Sequence, residues 1–107
     1  MKILLDESLP LKLKYDFGEE HEIWTVREKS WLGKKNGELL RLMTEDKFEL
    51  FITVDKNLPY QQNLKSIPLT IVVLRAKDNR YKTLRLLIPK IFLTMLESEN
   101  QNVIEIF

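Results

Sequence analysis

The chain has no cysteine and a single histidine, His21. The first absence excludes disulfides and thiolate metal sites. The second excludes a zinc centre built from several histidines, and a metal-free mechanism run by a histidine pair. Any metal must then be a hard ion held by oxygen, such as Mg²⁺ or Mn²⁺. Glycine (3) and proline (4) are few and scattered, so no linker, repeat or low-complexity segment divides the 107 residues. One domain over residues 1–107 is expected. No apolar run approaches the roughly 20 residues of a membrane span. Asp6 and Glu7 interrupt the apolar start, so no secretory signal is expected and a soluble cytoplasmic protein is.

An excess of charge of one sign is also missing. The formal net charge of +1 gives no bulk attraction for polyanions. The charge is unevenly placed, however: residues 1–54 hold 9 Lys/Arg and 11 Asp/Glu, and residues 55–107 hold 8 and 5. Arg75, Lys77, Arg80, Lys82 and Arg85 form the most basic stretch, broken only by Asp78. A solvated loop and helix face accounts for it; so does a rim that tracks phosphates beside an acidic site.

Two acidic phrases are what the chain does have: Ile3-Leu4-Leu5-Asp6-Glu7 and Phe51-Ile52-Thr53-Val54-Asp55-Lys56-Asn57. Each is a short apolar run, rich in β-formers, that stops at a carboxylate. Such runs read as buried strands. Ligands of parallel sheets bind beyond the carboxyl ends of the strands. Asp6 and Asp55 are therefore expected at one edge, on strands that can be neighbours. Two carboxylates held together repel, and a divalent cation makes the pair tolerable.

The rest of the pattern alternates. Strands are expected over 2–5, 22–26, 49–54, 69–74 and 102–107, the last at an edge. A helix capped by Ser8 carries Leu9, Leu13 and Phe17 and stops at Gly18. Asn36 is read as the cap of a helix with Leu39, Leu40, Leu42 and Met43, and Asn57 as the cap of a short one containing Pro59. Leu84, Leu87, Ile88, Ile91 and Met95 keep helical spacing, with Pro89 set to kink or divide the helix. The order β-α-β-α-β-α-β-α-β predicts an α/β fold: a three-layer α/β/α sandwich around a mostly parallel sheet of four or five strands.

With these residues laid out, the chain resembles the PIN-like family of small prokaryotic proteins. The resemblance rests on Ile3-Leu4-Leu5-Asp6-Glu7-Ser8-Leu9-Pro10 and on Thr53-Val54-Asp55-Lys56-Asn57. His21-Glu22-Ile23, Thr25-Val26-Arg27 and Gly33-Lys34-Lys35-Asn36-Gly37-Glu38-Leu39-Leu40 add to it, so it covers nearly the whole chain. It implies a metal-dependent ribonuclease with three or four acids at the strand ends, and in many members a toxin held inactive by an antitoxin. Asp6 and Asp55 match two of those acids. The middle acid falls near Asn36, where Glu38 is the nearest carboxylate, and the last falls near Asp78 and Asn79. Ser8 stands where asparagine is usual.

Each site residue also has a plainer reading. Asp6 and Asp55 can cap the helices that follow them, and Glu7 can be solvated. Glu38, in a first helical turn, is favoured there by the helix dipole alone. Asp78 and Asn79 are turn formers. Lys56, Asn57, Arg75 and Lys77 are read as substrate contacts flanking the acids, with surface solvation as the alternative. Gln61, Gln62 and Asn63 can bond nucleotides or simply form a polar helix face. Trp24 reads as core, His21 as a turn residue, and Trp31 as a surface aromatic able to stack on a base or enter a partner.

The leading reading is phosphodiester cleavage of RNA with Mg²⁺ or Mn²⁺ on Asp6, Asp55 and Glu38. A receiver-like domain with Asp55 as phosphoacceptor is a second, although Arg75-Ala76 replace the Ser/Thr expected after the fourth strand. A third is a PIN-like binding module without catalysis. Self-association, or binding of a protein partner, is expected through apolar residues around Trp31 and the final helix.

Overall fold

The computed structural model describes residues 1–61, 67–97 and 102–107, with the backbone alone at Tyr60 and Gln61. The expected contacts of Gln61, Gln62 and Asn63 lie outside the described side chains. Five strands form one parallel sheet: β1 (Lys2–Leu5), β2 (Glu22–Thr25), β3 (Leu50–Thr53), β4 (Thr70–Leu74) and β5 (Val103–Ile106). Their spatial order is β2-β1-β3-β4-β5, and every neighbouring pair is parallel. The α/β sandwich expected from the alternation is therefore present, with β5 at one edge.

Alternation within the strands feeds two cores. Ile3, Leu5, Leu50, Ile52, Val72, Leu74, Ile104 and Ile106 face one side, where Leu9, Leu13, Phe17, Leu84, Leu87, Ile88 and Ile91 cover them. Leu4, Phe51, Ile71 and Val73 face the other, under Leu39, Leu40, Met43 and Leu58. The first cover is a 3-10 helix (Leu11–Asp16) with the later helices; the second is α1 (Asn36–Glu45) and α2 (Leu58–Gln61). A sheet buried on both faces needs near-continuous apolar strands, which is why β3 is buried at all four positions.

The helical elements differ from expectation at their ends. The segment after β1 is a 3-10 helix entered at Pro10 without a side-chain cap. Ser8 does not cap it, because its hydroxyl turns to the Asp6 carboxylate. Gly18, at φ 81°, ends that segment as expected. Lys35, not Asn36, occupies the N-cap position of α1. At its other end Lys47 takes φ 61°. Its N–H bonds Thr44 O at 3.1 Å while Phe48 N–H bonds Met43 O at 3.0 Å. That pair of bonds is the Schellman closure, here with a lysine in the position glycine favours.

Pro89 divides the last helix. α3 (Tyr81–Leu84) leads through a 3-10 turn (Arg85–Leu87) into α4 (Ile88–Glu97), with Pro89 in its first turn, where a missing N–H does no harm. The Tyr81 hydroxyl bonds Asp16, which ties α3 to the 3-10 helix and holds the phenol above its ordinary pKa. Among the described residues no helix is long and apolar enough to cross a membrane.

Candidate functional site

In a 2-1-3-4-5 sheet the connections leave β1 and β3 in opposite directions, and the crevice beyond their carboxyl ends is the usual ligand position. Asp6 follows β1 and Asp55 lies two residues past β3, so both acids stand at that switch point. Register fixes the approach. Leu5 pairs with Ile52, and the ladder runs one residue further, with Asp6 N–H bonding Ile52 O at 2.9 Å. The backbone of Asp6 is thus held by sheet pairing.

Its side chain is held by Thr53. This residue is fully buried, and its hydroxyl donates to Asp6 Oδ2 at 2.6 Å. Thr53 Oγ1 in turn accepts the Asp55 N–H at 3.0 Å. One buried hydroxyl therefore links the two acidic segments. Asp6 Oδ1 accepts the Glu7 N–H at 2.8 Å, and Ser8 reaches Oδ2 at 3.4 Å. Asp55 Oδ1 accepts the Asn57 N–H at 3.0 Å. Every one of these donors is neutral. Neither acid takes part in an ion pair among the described residues. The two carboxylates are fixed in direction and, among the described residues, not neutralised in charge.

The remaining sequence candidates spread around this centre. Glu38 sits in the first turn of α1 and pairs with Lys34 at 3.3 Å. Among the described residues no group of three or more acidic or histidine side chains comes together. Lys56 and Asn57 are exposed directly after β3, and Lys77 after β4. Arg75 instead bonds Glu105 on β5 at 2.8 Å and lies over the Phe107 ring at 5.4 Å. Asp78 accepts the Arg80 N–H at 3.0 Å and is held below the usual carboxylate range by its bond from Thr83, then by that from Arg80. It is a turn residue at the entry of α3. His21 stacks on Phe92, with centroids 4.7 Å apart.

Trp31 is not a free surface aromatic. It is half-buried, packs edge-on against Phe48 at 5.9 Å, and carries Lys29 over its ring at 5.2 Å. Trp24 packs beside the same cluster. The residue of this centre that sequence reasoning passed over is Thr53. It was legible as part of a T-x-D phrase, yet only the sheet reveals that its hydroxyl is shared by both acids. Arg27, exposed just past β2 at the same edge, was passed over as well.

A hard divalent ion fits this donor set: two part-exposed carboxylates, no soft ligand, and no cation in place among the described residues. No family model, no characterised protein and no solved structure matches the chain.

Proposed function

We propose that the protein is a PIN-like endoribonuclease dependent on Mg²⁺ or Mn²⁺, with Asp6 and Asp55 as its metal ligands. The observation that carries this reading is the pair of unneutralised carboxylates at the switch point, joined through the Thr53 hydroxyl. The ion, when bound, supplies a Lewis acid for the phosphate and a water of lowered pKa. The chain supplies everything else. Thr53 sets the rotamer of Asp6, and the Asn57 N–H sets that of Asp55. Lys56, Lys77 and the Asn57 side chain bind phosphates beside the cut, while Arg75 contributes only if it leaves Glu105. Glu38 joins the acids only by releasing Lys34. Single-stranded RNA in the cytoplasm is the substrate, and a toxin role with an antitoxin covering the acidic edge follows from the family resemblance.

One observation favours a second reading. The 2-1-3-4-5 order is shared with receiver-type domains, in which an acid after the third strand accepts a phosphoryl group. Asp55 would fill that role. Arg75-Ala76, in place of a hydroxyl residue after β4, stand against it.

The test is incubation of purified protein with mixed RNA, with Mn²⁺ or with EDTA, beside Asp6→Ala/Asp55→Ala. Mn²⁺-dependent cleavage that the double variant lacks supports the nuclease. Cleavage that survives in the double variant marks a contaminant. No cleavage, with labelling of Asp55 by a phosphoryl donor, transfers the site to the second reading. Neither activity leaves a binding module without catalysis.

A further inference from the structure

The layer that carries α3 and α4 leaves large apolar side chains in solvent. Leu86, Leu93 and Leu96 are 68 %, 62 % and 80 % exposed. Pro89, between them, is exposed too. The inward side of the same segment is already complete, since Leu84, Leu87, Ile88 and Ile91 are buried. The outward leucines are therefore surplus to the core. Positions 86, 89, 93 and 96 recur at intervals of three and four, so they make one stripe. Monomeric domains rarely expose contiguous apolar surface beyond roughly a few hundred Å², and their largest patch is often functional.

The charges at the two ends of the stripe decide its occupant. Lys82 stands at the amino end and Glu97 at the carboxyl end, both exposed. Among the described residues neither takes part in an ion pair. The two are equidistant from the midpoint between Pro89 and Lys90, and so are Leu86 and Leu93. A two-fold axis at that midpoint brings Leu86 against Leu93 of the partner subunit and Lys82 against Glu97 of the partner subunit. An isologous contact makes each such pairing twice. The antiparallel arrangement also sets each helix's positive end beside the other's negative end. The same axis sets Leu96 over Thr83 of the partner subunit and Pro89 over Lys90 of the partner subunit, so the Leu86–Leu93 and Lys82–Glu97 pairings carry the fit to a second copy.

We propose that the α3–α4 face is a homodimer interface, antiparallel about the Pro89–Lys90 midpoint. It is independent of the nuclease reading and leaves the carboxyl edge of the sheet open. One pair of helices buries less than the roughly 800 Å² per partner of a standard interface, so the dimer is weak, with Kd in about the micromolar range.

Sedimentation equilibrium tests it at low salt, where end charges are least screened. The samples are wild type, Leu93→Glu, Lys82→Glu, Glu97→Lys and the double reversal Lys82→Glu/Glu97→Lys, each checked for native circular dichroism. Wild type should pass from monomer to dimer as concentration rises from about 1 µM to 1 mM. Leu93→Glu should weaken the dimer by at least about tenfold, because it places a charge at the centre of the contact. Each single reversal should weaken it, and the double reversal should return to within about threefold of wild type. A wild-type monomer throughout overturns the proposal. So does a dimer indifferent to Leu93→Glu, or a double reversal no better than the worse single one.

Discussion

Asp46 and the Asp6–Asp55 pair lie at opposite ends of the same strands and are treated in opposite ways. Asp46 closes α1 just before β3 and receives two lysines, Lys2 at 2.9 Å and Lys29 at 2.5 Å. Those contacts, Lys29 first and then Lys2, hold its carboxyl below the usual range. Among the described residues, Asp6 and Asp55 receive only hydroxyl and backbone N–H donors. The difference separates two uses of an acid. A carboxylate matched by cations of its own chain has its charge spent on the fold. One that is aimed by neutral donors, with no cation beside it among the described residues, is what the proposed metal site requires. The helical layers repeat the contrast. The outer face of α1 carries the pair Arg41–Glu45, and Glu38 in its first turn pairs with Lys34 ahead of the cap, whereas the outer face of α4 carries bare leucines.

The largest effect should come from cutting the outward-facing acids. Asp55→Asn should weaken Mn²⁺ binding by at least about 100-fold, beyond what loss of an outer partner causes. The metal-free protein should melt at the same temperature or slightly higher, since one of two repelling charges is gone. Calorimetric titration with Mn²⁺ and paired thermal melts read both. Unchanged Mn²⁺ affinity would remove Asp55 from the ligands.

Thr53→Val comes next, because it breaks the link between the two segments at constant volume. The half-buried Asp55 N–H loses its acceptor and Asp6 loses a donor, so urea unfolding should show a loss of about 1–3 kcal/mol. Mn²⁺ affinity should fall by about 10–100-fold. Thr53→Ser, which keeps the hydroxyl, should recover most of both; failure to do so would assign the loss to packing.

Asp46→Asn should do the reverse of Asp55→Asn: lower stability by about 1 kcal/mol and leave Mn²⁺ binding alone. The pH dependence has a definite sign. The folded pKa of Asp46 lies below its ordinary value of 3.8. Its contribution is thus fully present above that value and lost as pH falls through the lowered folded one. The variant should show a shallower acid decline than wild type below about pH 4. Parallel declines would show that the lysines do not act through this carboxylate. At the bottom of the scale, Arg41→Ala should cost only about 0.3–0.5 kcal/mol, as expected of an exposed i,i+4 pair.

Much of this was legible before the structure, for physical reasons. Buried parallel strands are apolar on both faces, so β1, β3 and β4 announced themselves, and the acids that follow β1 and β3 marked the edge. Pro89 lacks an N–H, and the division of the last helix followed. Local competition hid other features. Ser8 has a capping side chain, but the neighbouring carboxylate of Asp6 takes its hydroxyl. A 3-10 helix and an α-helix bury similar spacings over one or two turns, so Leu9, Leu13 and Phe17 did not distinguish them. Trp31 sits among Gly and Lys in sequence and finds its partner Phe48 only through the fold. The sharing of the Thr53 hydroxyl depends on β1 and β3 being neighbours in register, a long-range fact that no local pattern encodes.

The most direct test is a crystal structure grown with Mn²⁺, read by anomalous scattering at the carboxyl edge of the sheet. One manganese ion touching carboxylate oxygens of both Asp6 and Asp55, with Thr53 still bonded to Asp6, is the expected result. A structure at millimolar Mn²⁺ with no ion there, or with the ion on other residues, would contradict it.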